Sequence, residues 1–154
     1  MSARSIFFGF SGRINRAKYW GYSILLTLIL CLLLAALIAI GVSMHAANNV
    51  PLLIGLIVLG VAMSIGILVS QVAIGVKRLH DRGKTGWWLF LYYFVPGALQ
   101  QPQAWDQSRA LAIGVSIFLA LAALGIMIWS FIDLGCLRGT EGPNAYGPDP
   151  LLRD

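Results

Sequence analysis

Apolar positions in this chain are gathered into long unbroken runs, and charged positions into the short stretches between them. Residues 21–44 and 51–76 contain no Asp, Glu, Lys or Arg. Residues 110–136 form another such run, interrupted only by Asp133 in its last turn. Each exceeds the roughly 20 residues that an α-helix needs to cross the hydrocarbon core of a bilayer. A fourth apolar stretch, "GWWLFLYYFVPGAL" (86–99), is shorter and carries Pro96 in its second half. At about 1.5 Å per residue it reaches roughly 21 Å against a core of about 30 Å. It either completes a crossing with residues 100–104 at the outer interface or turns back near Pro96-Gly97.

The pattern predicts an all-α integral membrane bundle of four transmembrane helices with both termini cytoplasmic. The spans are 21–44, 51–76, 86–104 and 110–136. Residues 1–20 form an interfacial segment, 77–85 a cytoplasmic connector and 137–154 a cytoplasmic tail, and all belong to one membrane domain. In this arrangement ten of the eleven Lys and Arg residues lie inside and only Arg109 outside, as the positive-inside rule requires. Tyr19, Trp20, Trp87 and Trp88 fall at the starts of the first and third spans, where amphipathic rings anchor at headgroup depth; Trp105 marks the outer side. The first run is too long for a signal peptide and no small-residue cleavage pattern closes it, so it reads as an uncleaved anchor.

Composition agrees with a lipid environment. Hydrophobic residues make up 58% of the chain and charged residues 11%, against about 25% charged in a soluble domain. A water-soluble fold of 154 residues would lack the polar surface to cover itself. The net charge of +5 follows from membrane orientation and requires no nucleic acid. Cys31 and Cys136 sit at different membrane depths and are expected to be free thiols. Gly60, Ala62, Ser64, Gly66 and Ser70 supply small-xxx-small pairs for close helix packing, within the chain or in a homo-oligomer.

Chemistry is concentrated in "VKRLHDRGKTGWW" (76–88). Its Gly-Lys-Thr would need a glycine five positions earlier to cradle phosphates, and that position is Arg78. His80 and Asp81 suggest acid–base work, but adjacent side chains diverge, which leaves Asp81 poorly placed to orient the ring. The other histidine, His45, belongs on the opposite membrane face, so no set of metal ligands forms and no cofactor is implied. Asp133 is the one acid at membrane depth, a position that calls for an ionic partner or a functional role. Arg13, Arg16, Lys77, Arg78, Arg82 and Lys84 would converge at the inner headgroup layer. They are candidates for an anion or lipid-headgroup site, assisted by Thr85.

Three stretches, "FSGRINRAKYW" (10–20), "KRLHDRGKTGWW" (77–88) and "GTEGPNAYGPDP" (139–150), resemble, in that order, the motifs of the bacterial inner-membrane family called domain of unknown function 805. The resemblance runs from about Phe7 to Pro150 and implies a location and motif positions but no reaction. All three motifs lie on the cytoplasmic side in the four-span arrangement. The turn-rich tail is expected to fold back over the connector, so that Asn144, Tyr146 or Asp149 contacts Arg13, Arg16 or His80, making a polar network with Asp81. The resulting expectation is a non-enzymatic scaffold or accessory protein whose cytoplasmic face binds anionic lipid or a membrane-protein partner. The alternatives are a small transporter or channel component built on Asp133 and the helix interior, and a lipid-headgroup enzyme using His80 and Asp81.

Overall fold

The computed structural model describes residues 2–46, 49–99 and 110–152. Their regular elements are all helical, without a β-strand among them, and residues 8–15 and 137–152 are irregular. The helices are α1 (Ala3–Phe7), α2 (Arg16–Ala46), α3 (Val50–Asp81), α4 (Val95–Leu99) and α5 (Ala110–Phe131). Two π-helical turns, Phe90–Phe94 and Ile132–Cys136, run directly into α4 and out of α5. Three helical stretches are long and apolar enough to cross a membrane, Arg16–Met44, Val50–Asp81 and Ile113–Cys136, and a shorter apolar one spans Phe90–Leu99. Connector 100–109, with Trp105 and Arg109, lies outside the described residues, as do Arg153 and the side chain of His45.

The helix ends follow from local chemistry. Ser2 caps α1 by accepting the Ser5 N–H on its hydroxyl at 3.3 Å. Asn49 does the same for α3 through the Leu52 N–H at 3.4 Å, and Pro51 occupies the first turn, where its missing N–H costs nothing. At the other end of α3, Gly83 adopts φ +70°. The Gly83 N–H then bonds the His80 carbonyl at 3.0 Å and the Lys84 N–H bonds the Leu79 carbonyl at 2.9 Å. That pair of bonds is a Schellman motif, which only a residue tolerant of positive φ completes cheaply. The helix thus continues through Lys77–Asp81, a stretch expected to be connector, because nothing before Gly83 breaks it.

The chain divides into two compact units, and the boundary falls within α3 after Ile74. The first comprises residues 1–10 and 17–74. In it Gly60 gives the close approach that brings Leu37 of α2 against α3, and Ser64 returns its hydroxyl to the Gly60 carbonyl at 2.8 Å. Gln71 donates to the Ser23 carbonyl and to Thr27 Oγ1, both at 3.2 Å, a polar tie at a depth where interhelical hydrogen bonds replace the missing hydrophobic drive. Large apolar side chains on α2 remain uncovered, Leu32 by 71%. In water this surface would be untenable; in a bilayer it faces its solvent.

The second unit comprises residues 11–16 and 75–154. Ile14, Leu79, Leu89, Tyr92, Ala123 and Leu134 are among its buried apolar residues. Unusually, so are Arg13, Lys77, Arg78, Asp81, Asp133 and Asp149. Burying charge is costly unless each group is paired and hydrogen-bonded. No buried side-chain nitrogen or oxygen among the described residues lacks a partner.

Candidate functional site

Two polar clusters occupy the second unit. The first is organised by Arg13. Its Nε and Nη2 donate to Asp81 Oδ1 at 3.2 and 3.1 Å. Nη2 also donates to the Thr140 carbonyl at 2.6 Å, and Nη1 to the carbonyls of Gly142 at 2.7 Å and Gly147 at 3.2 Å. All three guanidinium nitrogens, which together carry five N–H donors, are engaged. The other carboxylate oxygen of Asp81 receives Arg78 Nη1 at 2.5 Å. One acid therefore bridges two buried arginines from the first and second motifs, while the third motif supplies carbonyls.

The tail folds back over the end of α3. Thr140 N–H bonds the Asp81 carbonyl at 2.8 Å. Asn144 Nδ2 donates to the His80 carbonyl at 2.9 Å and to Thr140 Oγ1 at 2.8 Å. The Tyr146 ring stacks on the His80 imidazole, with centroids 3.9 Å apart and planes 5° from parallel. Gly139 packs directly on the Asp81 carboxylate, where a Cβ would collide. Asp149 accepts the Leu151 N–H on Oδ1 and the Gly142 N–H on Oδ2, each at 2.9 Å. These bonds, led by that from Leu151, hold the carboxyl below the usual range.

His80 Nδ1 lies 3.2 Å from the Gly12 carbonyl oxygen, and since that oxygen only accepts, Nδ1 carries a proton. The ring is thus oriented by Gly12 and Tyr146, and the Asp81 carboxylate faces the two arginines instead. His80 and Asp81 are not an acid–base pair in this geometry.

The second cluster is centred on Asp133, whose side chain is buried. Asp133 Oδ2 accepts Lys84 Nζ at 2.7 Å and the Tyr92 hydroxyl at 2.8 Å, and Oδ1 receives Arg82 Nε at 3.4 Å. Lys84 Nζ also sits 4.8 Å from the Trp88 ring centroid and 5.6 Å from that of Trp129, within cation–π range. Trp88 and Trp129 meet edge to face at 5.4 Å, and Tyr92 meets Trp129 at 5.6 Å. Tyr92 and Asp133 each lie in one of the π-helical turns, a feature frequent at functional sites. The carboxylates of Asp81 and Asp133 are both filled by cationic groups, which disfavours a further metal ion.

The remaining arginine contacts fall on the end of the α5 segment. Arg78 donates to the Leu134 carbonyl at 2.7 Å and to that of Leu137, Arg16 to Cys136 at 3.3 Å, and Arg82 to Arg138. Cations belong here, at the negative end of a helix dipole with unsatisfied carbonyls.

A family model described as "Protein of unknown function (DUF805)" matches residues 7–148, which include the first two motifs entire and nearly all of the third. The chain belongs to the DUF805 family. Among its relatives, the Uncharacterized protein YiiR of Escherichia coli strain K12 is 29% identical over 160 residues, covering 97% of this chain and 90% of that protein. The Inner membrane protein YhaI of the same strain is 25% identical over 152 residues, covering 97% and 92%. No solved structure matches the chain. With these relatives and its apolar helices, this DUF805 chain is a multi-pass protein of the bacterial inner membrane.

The DUF805 motifs place the expected residues unevenly. Arg13 and Arg78, expected at an anion site, spend their donors internally, and Lys77 is also buried. Arg82 and Lys84 share Asp133. Arg16 is exposed. Trp87 is 81% exposed, whereas Trp88 turns against Tyr92 and Trp129. Tyr19 and Trp20 meet edge to face at 5.7 Å. Sequence reasoning missed Tyr92, Trp129 and Thr140. Trp129 precedes Asp133 by four residues on one helical segment, a spacing that puts both on one face.

Proposed function

We propose that this DUF805 protein is a four-span scaffold or accessory protein of the inner membrane. Both termini lie in the cytoplasm, and the chain is not an enzyme. Its cytoplasmic face binds anionic lipid headgroups or a protein partner. The observation that carries the reading is the saturation of Arg13 by Asp81, Thr140, Gly142 and Gly147. Three distant segments are tied into one filled plate, which suits a rigid presenting surface better than a reaction chamber. Orientation rests on the ten-to-one distribution of Lys and Arg. The commitment of Asp133 to Lys84, Tyr92 and Arg82 weighs against a transport route through it.

On this reading anion contact falls to exposed basic residues beside the plate, Arg16 and Arg138, the latter in a solvent-exposed pair with Glu141 at 3.1 Å that an anion would compete with. Reporter fusions after residue 154 and within 100–109 should report cytoplasmic and periplasmic positions respectively. Native mass spectrometry of the full chain should show retained phosphatidylglycerol that falls in the Arg16→Gln, Arg138→Gln double variant. A periplasmic C-terminus refutes the topology, and unchanged retention in the double variant refutes the anion-binding face.

A further inference from the structure

The Asp133 cluster has the composition of a receptor for an ammonium group. Two indole faces, a phenol and a buried carboxylate converge on one –NH3+. The rings favour any cation, while Asp133 Oδ2 asks for an N–H donor at short range. The group now held there belongs to Lys84, which follows the Arg82–Gly83 turn at the end of α3. Its side chain is 25% exposed and Asp133 1%. The acid is thus covered, and Lys84, Arg82 and Trp129 are members of the cluster that reach the surface.

We propose that this cage is a binding site for a primary ammonium of phosphoethanolamine type, which Lys84 fills in the free chain and yields to the incoming headgroup. The exchange is one cation for another, so the Asp133 carboxylate and the aromatic walls stay satisfied throughout. Displaced, the Lys84 ammonium becomes available to the headgroup phosphate, which phosphoethanolamine carries one short linker away from its amine. Choline satisfies the rings but has no N–H for Asp133, and glycerol headgroups carry no cation. The site therefore selects within a membrane that offers several headgroups.

A tethered ligand such as Lys84 acts at about millimolar effective concentration. A soluble headgroup must exceed that level, whereas a leaflet presents its headgroups at far greater local density. The proposal goes beyond the anionic-headgroup reading above, which concerns Arg16 and Arg138, and commits this separate site to a zwitterionic amine.

The test is native mass spectrometry of the full chain released from nanodiscs containing equal phosphatidylethanolamine, phosphatidylglycerol and phosphatidylcholine. Phosphatidylethanolamine should be retained over both others. Trp129→Leu should lower that retention about three- to tenfold, the range expected for losing one cation–π wall, and Trp87→Leu should not. Lys84→Met removes the competitor and the phosphate contact together, and should leave the preference for phosphatidylethanolamine over phosphatidylcholine in place. Since Trp129 lies partly at the surface, its variant keeps the test decisive even where Lys84→Met fails to fold. Tryptophan fluorescence with soluble glycerophosphoethanolamine separates the sources. A response identifies the headgroup alone as sufficient, and silence with retained lipid identifies the intact lipid. Equal retention of the three lipids, or unchanged retention in Trp129→Leu, overturns the proposal. Phosphatidylglycerol retained over phosphatidylethanolamine overturns it while leaving the anionic-headgroup reading standing, and retention of no lipid overturns both.

Discussion

Tyr92 and Asp133 meet hydroxyl to carboxylate at 2.8 Å, each from within its own π-helical turn. The contact joins residues 41 apart in sequence and is buried. Tyr92→Phe should therefore lower stability by about 1–3 kcal/mol, the range for a hydrogen bond to a charged group. The Lys84 bond to Asp133 persists in the variant and keeps the loss from growing larger. Thermal unfolding of both proteins in the same detergent measures the difference.

Asp81 lies between two arginines, with the side chains of Arg13 and Arg78 1% and 0% exposed. Asp81→Asn removes the one carboxylate that both arginines contact and leaves them only the more distant Asp149 and Asp133 as counter-charges. A loss of about 3–5 kcal/mol is expected, as for other broken buried pairs. Arg13→Lys should be nearly as damaging, because three donors on a point charge cannot replace a five-donor fork. Denaturation monitored by tryptophan fluorescence would show both effects, and a lysine variant of wild-type stability would contradict the second.

Gly139 sits where any Cβ would strike the Asp81 carboxylate, which two arginines hold in place. Gly139→Ala should be strongly destabilising. Gly125, in α5, has open space around it, so Gly125→Ala should be neutral or stabilising by about 0.5–1 kcal/mol from helix propensity. The two alanine variants, melted side by side, separate the contact from the general effect of losing a glycine.

Asp149 gives the tail its acid sensitivity. Its carboxyl is held below the usual range by the Leu151 and Gly142 N–H groups, so the unfolded tail binds a proton more readily than the folded one. The stabilisation is complete above the unfolded carboxylate value near 3.9 and is lost as pH falls through the lower folded value. Limited proteolysis of the tail should become faster only on the acid side of about pH 4. In Asp149→Ala it should be fast at neutral pH and far less dependent on acid.

The apolar runs were legible because lipid imposes one rule on every residue that meets it. Three of them appear as helices at nearly the expected positions. The run beginning at residue 86 showed its shortness but not its two-part form, a π-helical turn leading into α4. The π-helical turn carries Tyr92, whose hydroxyl meets Asp133, a contact invisible to local periodicity. The basic residues were legible as a cluster but not in their roles. Charge counting treats Arg13 and Arg16 alike, yet one is buried among carbonyls and the other exposed. What separates them is the fold of residues 139–149, and turn chemistry signals a bend there without naming what it encloses. The His80–Asp81 pair shows the same limit, since His80 meets Gly12 and Tyr146 while Asp81 meets Arg13 and Arg78.

The saturation of Arg13 has a temporal consequence. Asp81 is 68 residues downstream of it, and Thr140, Gly142 and Gly147 are 127, 129 and 134. At translation rates of about 5–20 residues per second, several seconds pass between the emergence of Asp81 and that of the tail. During that interval the nascent chain holds its helices in lipid while its plate stands open, with both arginines short of carbonyl acceptors. Closure by the tail therefore follows the emergence of the helices, and a chain that stalled before Thr140 would display an unfinished surface.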